Sequence, residues 1–285
     1  MTRPYLLHHV LDGPPSAPPL ILGPSLGTSL RVWSPLPADL ARSHRVLRWD
    51  LPGHGGSPAD LLPLDGTASV AALAAHVLRL ADAQGWESFA YAGISLGGAV
   101  GAHLAIHHPE RVTSLGLVCS SACFGPREPW QARAALVRRA GIGPVLETSP
   151  GRWFADPGTA ETPLGRALLG DLAATDPVGY AACCDALAAY DLRPDLARIT
   201  APTLVVGGSL DVATPLAHAR ELADGIAGAT LETCAVGHLA IEQPEAVGAA
   251  LRTHLRAADS RHGRLGPGTA EVSGSAGMPE DPQWN

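Results

Sequence analysis

No stretch of the sequence is apolar over the roughly 18–20 residues that a bilayer-spanning helix needs. The opening Met1-Thr2-Arg3-Pro4-Tyr5 is followed by no apolar core of the kind a secretory leader carries. Basic charge is also short. The 20 Lys+Arg residues against 27 Asp+Glu leave a formal charge of −7, with no Lys/Arg-rich stripe. Phosphate binding needs concentrated positive charge, so nucleic acid is not expected as a partner. A cytoplasmic protein without membrane or nucleic-acid partners is the expectation. The five cysteines (Cys119, Cys123, Cys183, Cys184, Cys234) are odd in number and fit neither a disulfide framework nor a zinc site. They read as small buried thiols, and neither a metal nor a cofactor is expected. Aromatic residues make up only 5%, so a core must be built mainly from Ala, Leu and Val.

What is present is enough for a sizeable core. Hydrophobic residues reach 46% of 285, which excludes global disorder, and 32 Gly with 26 Pro promise many turns. Short apolar runs at 20–22, 45–49, 89–92 and 112–119 read as strands. Helical spacing of apolar residues appears over 70–83 and 98–108. Strands alternating with helices indicate βαβ units and a parallel sheet. Between 124 and 192 that rhythm breaks. Helical patterns at 131–140, 163–174 and 178–190 follow one another with no convincing strand, as in an inserted helical cap. Strands resume at 203–206 and 229–232, and a helix over 244–255 closes the pattern. The organisation expected is an α/β core over 1–122 and 193–257, a helical cap over 123–192, and a polar, disordered tail over 258–285.

The chemistry centres on Gly93-Ile94-Ser95-Leu96-Gly97. A serine hydroxyl is a weak nucleophile that needs a neighbouring base and an exposed position. The G-x-S-x-G pattern supplies the exposure, because its glycines permit a sharp strand-to-helix turn. A chain with 32 glycines could produce it by chance, but here an apolar strand precedes it and small residues open the following helix. In α/β hydrolases the acid and then the base follow the nucleophile, at the ends of later strands. Asp211, just past the 203–206 strand, and His238, just past the Leu231 strand, take those places. His54 is the serious rival base, but it precedes Ser95 and reads as a residue that shapes the site through loop hydrogen bonds. Asp185 and Asp191 fall in the cap, away from strand ends. The oxyanion hole is expected from the backbone N–H groups of Leu96 and Ser25, since Pro24 has none.

These residues also carry a resemblance. The segment Gly23-Pro24-Ser25-Leu26-Gly27-Thr28-Ser29-Leu30-Arg31-Val32-Trp33 resembles the oxyanion-loop signature of 3-oxoadipate enol-lactonases. The segments 48–57 and 95–98 agree with it, as do His238-Leu239 and Glu242-Gln243-Pro244. More telling is Gly179-Tyr180-Ala181-Ala182-Cys183-Cys184-Asp185-Ala186-Leu187 with Asp191-Leu192-Arg193, an unusual cap sequence among α/β hydrolases. Pro24 departs from the Asn that many members carry there. The resemblance implies an α/β-hydrolase fold and, as substrate, a small lactone bearing a carboxylate. That carboxylate asks for a cation, for which Arg133 or Arg127 beside Trp130, and Arg31 near the oxyanion loop, are candidates. Trp130 is expected to wall the pocket. Other readings are a different small ester or lactone hydrolase, or a hydrolase-like ligand receptor. An intact Ser95, Asp211 and His238 weighs against the receptor.

Overall fold

The computed structural model describes residues 6–264. Among them one seven-stranded sheet runs in the order β1-β3-β2-β4-β5-β6-β7. The strands are β1 (His9–Asp12), β2 (Pro19–Gly23), β3 (Arg45–Trp49), β4 (Phe89–Ile94), β5 (Val112–Val118), β6 (Thr203–Gly208) and β7 (Thr230–Cys234). Only β1 is antiparallel to its neighbour. Strands β4 and β6 are buried along their whole length, which is why they read as continuous apolar runs rather than as alternation. At the edge, β7 is exposed except at Cys234.

The described helices are α1 (Pro37–Leu40), α2 (Val70–Ala83), α3 (Leu96–His107), α4 (Arg127–Ala140), α5 (Gly143–Trp153), α6 (Pro163–Ala173), α7 (Pro177–Ala188), α8 (Leu216–Gly225) and α9 (Pro244–Arg264). Their starts follow local chemistry. Ser69, Thr162 and Asp176 accept hydrogen bonds from first-turn N–H groups of α2, α6 and α7. Proline opens α6 and α7, where a missing N–H costs nothing. Helices α4 to α7 form one insertion between β5 and β6, with α4 packed along α7.

The structure adds elements that periodicity alone does not indicate, and it moves some limits. The short edge strand β1, α5 and α8 are additions, while α3 begins at Leu96 rather than at 98. Helix α9 passes the expected stop at 255 and enters the stretch read as a disordered tail. Ala258 is buried, so the apolar face of α9 continues past Leu255. The rest of that expected tail, 265–285, lies outside the described residues. No helix among the described residues is long and apolar enough to cross a membrane.

Because β2 to β7 are parallel, their carboxyl ends share one edge of the sheet, where ligands of open α/β folds bind. Register then decides which loops meet. Gly23 of β2 pairs with Gly93 of β4, and Gly208 of β6 with Cys234 of β7. The loop after β2 therefore lies beside the turn at Ser95, and the loops after β6 and β7 lie beside each other.

Candidate active site

Ser95 stands between β4 and α3 with φ 53° and ψ −117°. A side chain in that region costs roughly 1–3 kcal/mol and persists only where its surroundings enforce it. Here they do. Ser95 N–H donates to the Val118 carbonyl at 3.0 Å, its carbonyl accepts from Ala99 N–H at 3.0 Å, and the Ser120 hydroxyl donates to the same carbonyl at 2.8 Å. The flanking glycines are a steric need. A Cβ on Gly93 would lie 2.2 Å from the Gly97 carbonyl carbon, and one on Gly97 would lie 2.4 Å from that of Gly23.

Asp211 follows β6 and His238 follows β7. His238 Nδ1 lies 2.9 Å from Asp211 Oδ2, and both residues are buried. A carboxylate only accepts, so Nδ1 carries a proton, and in the neutral ring that tautomer leaves Nε2 with its lone pair. Asp211 is held further by the N–H groups of Ala213 (2.7 Å) and Thr214 (2.9 Å) on Oδ1, and by the Thr214 hydroxyl (2.6 Å) on Oδ2. Burial alone would raise its pKa, but the hydrogen bond and charge of His238, aided by Thr214, outweigh burial and hold it below the ordinary value.

Ser95 and His238 line one narrow cavity with Ser25, Leu26, Trp130, Arg133, Ser149, Arg152, Trp153, Tyr180, Leu187 and Ala213. A serine hydroxyl and an imidazole in one cavity are the kinds of group that a proton relay uses. Leu96 opens α3, so its N–H lies in the first turn, where no intrahelical acceptor exists. Size alone would point elsewhere. A wider hollow of about 590 Å³ lies between α9 and β6–β7, but small side chains line much of it and it holds neither Ser95 nor His238.

The insertion closes the other side of the cavity with cations. The Arg133 guanidinium sits 5.2 Å over the Trp130 ring, and its Nη1 reaches the Tyr180 hydroxyl at 3.5 Å. Among the described residues, neither Arg133 nor Arg152 has a carboxylate within 4.0 Å. Burial and then the like charge of Arg133 lower the pKa of Arg152, and the charges of Tyr180 and Asp211 offset this only in part.

Of the expected site residues, Ser25, Ser95, Trp130, Arg133 and His238 line the cavity, Asp211 bonds His238, and Leu96 adjoins Ser95. Arg31 does not join them. It lines a separate surface hollow and pairs with Asp171 at 3.2 Å, because the short helix after the oxyanion loop turns it toward α6. Arg127 is exposed at the start of α4. Asp185 pairs with Arg138, and Asp191 bonds Arg193 at 2.9 Å. His54 is buried and neutral in character. Its Nδ1 donates to the Pro52 carbonyl at 2.9 Å, and its Nε2 accepts from Gly27 N–H at 3.1 Å. Burial pushes its pKa down to about 4. It ties the loop after β3 to the loop carrying Ser25. Sequence reasoning missed Arg152 and Trp153, which sit on α5, and it did not single out Tyr180 and Leu187 within the cap segment.

Comparison with known proteins agrees with this fold. A family model described as the alpha/beta hydrolase fold matches residues 18–144, and one described as TAP-like protein matches 178–263. The chain is 35% identical to 3-oxoadipate enol-lactonase 2 of Acinetobacter baylyi, over 88% of this chain and 93% of that protein. It is also 35% identical to a protein of Variovorax paradoxus named as a carbamate hydrolase, RutD, over 79% of this chain and 86% of that one. The crystal structure of the enol-lactonase from Burkholderia xenovorans LB400 superposes with a TM-score of 0.83 at 34% identity, covering 88% of this chain and 96% of that one. The chain belongs to the α/β-hydrolase family, where it is similar to the 3-oxoadipate enol-lactonases, and it is a carboxylic ester hydrolase.

Proposed function

We propose that this enzyme opens 3-oxoadipate enol-lactone to 3-oxoadipate, in the β-ketoadipate route of aromatic catabolism, with Ser95, His238 and Asp211 as a catalytic triad. The observation that carries the substrate reading is the pair of guanidinium groups, Arg133 and Arg152, that lie in the same cavity as Ser95 and His238 with no carboxylate within 4.0 Å among the described residues. They suit a small lactone that bears a carboxylate, and the Trp130 face flattens one wall beside them.

The chemistry follows from the arrangement. Ser95 Oγ attacks the lactone carbonyl while His238 Nε2 takes its proton, and Asp211 holds the imidazole in the required tautomer. The N–H groups of Ser25 and Leu96 bind the tetrahedral oxyanion, each worth about 3 kcal/mol. Collapse breaks the ring C–O bond, and His238 returns the proton to the departing enol oxygen. The acyl-enzyme is then cleaved by water that His238 activates. The released enol tautomerises to the ketone. An enol oxygen leaves more easily than an alkoxide, so little acid assistance is needed.

A second reading, carbamate hydrolysis, is favoured by the 35% identity to the RutD relative. Measuring kcat/KM on the enol-lactone, on an uncharged lactone of similar size and on a small carbamate separates the two. The enol-lactone is expected to lead by at least tenfold; a leading carbamate would replace this reading with the second. Ser95→Ala and His238→Ala should each remove most of the rate. Their double variant should lose little more, because triad members act as a unit. Additive losses would mean that the two side chains act separately.

A further inference from the structure

The two residues that follow β5, Cys119 and Ser120, touch three different loops of the site. The Ser120 hydroxyl bonds the Ser95 carbonyl at 2.8 Å. Cys119 Sγ lies 3.7 Å from the Gly237 carbonyl, next to His238. The Cys119 carbonyl accepts from the Thr214 hydroxyl at 2.9 Å. Cys119 adopts φ 44°, a left-handed conformation held only where the surroundings fix it.

Thr214 is the least explained member of this group. It is buried and is not among the cavity-lining residues. Its hydroxyl lies 2.6 Å from Asp211 Oδ2, the oxygen that His238 Nδ1 reaches at 2.9 Å, and 3.3 Å from Nδ1 itself. A hydroxyl has one proton. Here it forks between the Asp211 carboxylate and the Cys119 carbonyl, and the nearer, charged acceptor takes the larger share. The donor pins the carboxylate and withdraws charge from the oxygen that faces the imidazole.

We propose that Thr214, fixed in place by the Cys119 carbonyl, is a positioning residue that orients Asp211 and limits how strongly Asp211 holds the His238 proton. The proposal rests on the triad reading of Ser95, His238 and Asp211 but not on the identity of the lactone. Without the hydroxyl, Oδ2 keeps more negative charge and stabilises the imidazolium. The acid limb of the serine reaction would then begin at higher pH. Other titratable or charged groups face the pair. The Cys119 thiol lies behind Asp211, Glu242 accepts from Gly237 N–H, and Arg133, Arg152 and Tyr180 share the cavity with His238. Substitution at Thr214 leaves all of them in place.

The test is the pH dependence of Ser95 labelling by a fluorophosphonate. In that reaction Oγ bonds phosphorus, fluoride leaves and the hydroxyl proton goes to His238. Thr214→Val is expected to raise the acid-limb midpoint by about half to one pH unit, and to slow labelling on that limb about three- to tenfold. Thr214→Ser, which keeps the hydroxyl, should stay within about twofold of the wild type, with its midpoint unmoved. Should the valine variant not fold, Thr214→Ala carries the same expectation. An acid limb unmoved or lowered without the hydroxyl would overturn the proposal, as would a serine variant that behaves like the valine one. Wild-type protein that takes no label at Ser95 would overturn the serine relay itself, and the role of Thr214 with it.

Discussion

Ser95 and His54 show how much of the site is held by single residues acting against their own preference. Ser95 sits at φ 53°, and Gly93 and Gly97 leave the space that lets it do so. Replacing Gly97 by Ala would drive a methyl into the Gly23 carbonyl, so β2 and α3 must separate. The expected result is a loss of several kcal/mol in denaturant unfolding and of nearly all activity. His54 carries a pH signature. Its pKa falls from 6.5 to about 4 on burial, so the unfolded chain binds a proton that the folded chain refuses. Stability is therefore complete above about pH 6.5 and declines as the pH drops toward 4. The most this one group can take away is about 3 kcal/mol. A His54→Ala variant should be less stable at pH 7.5, because Gly27 N–H and the Pro52 carbonyl lose partners, yet show a flatter stability–pH curve. An unchanged slope would assign that dependence to other histidines. The sequence made Ser95, Asp211 and His238 legible because each follows a strand at the edge where loops converge. It left Arg152 invisible, because nothing local marks a surface arginine from one that turns into a cavity.

At the scale of elements, the strands and α2 were readable because burial on both sheet faces makes β4 and β6 uniformly apolar, and α2 has one apolar stripe. Helix α5 was not. It contains Pro150 and Gly151 and begins at Gly143, residues that ordinarily weaken or break a helix. Its packing against α4 and α6 overrides that propensity. Yet α5 brings Arg152 and Trp153 to the cavity, so the least predictable helix carries part of the proposed specificity. Arg152→Ala and Arg133→Ala should each raise KM for the enol-lactone by roughly tenfold or more, the loss of one charge-assisted hydrogen bond, with a smaller change in kcat. An uncharged lactone should not register either substitution. Equal losses on both substrates would mean that the arginines serve packing alone. Helix α9 was undercounted for a different reason: the polar composition after 257 hides a face on which Ala258 is still buried.

Across the whole molecule, two of the seams that join the insertion to the loops of the sheet involve residues beside the cavity. At one, Gly179 approaches Gly53 so closely that a Cβ would come within 2.6 Å of it, and Asp176 N–H donates to the Gly53 carbonyl at 2.8 Å. At the other, Glu242 accepts from Ala155 N–H at 2.7 Å and from Gly237 N–H at 3.0 Å, clamping the end of α5 to the loop that bears His238. Glu242→Ala should cost about 1–3 kcal/mol and lower the thermal midpoint by several degrees, with a single unfolding transition retained. Two separate transitions would show that the insertion and sheet do not fold as a unit. The molecule carries a net charge of −7 while placing two arginines in the cavity that holds Ser95, and that local reversal of sign is what the lactone proposal depends on. The most direct test is to follow the ultraviolet absorbance of freshly generated 3-oxoadipate enol-lactone with wild-type and Ser95→Ala protein, both shown to be folded. The expected result is ring opening far above the spontaneous rate for the wild type and a return close to that rate for the variant. No acceleration by folded wild-type protein, or an undiminished rate in Ser95→Ala, would contradict it.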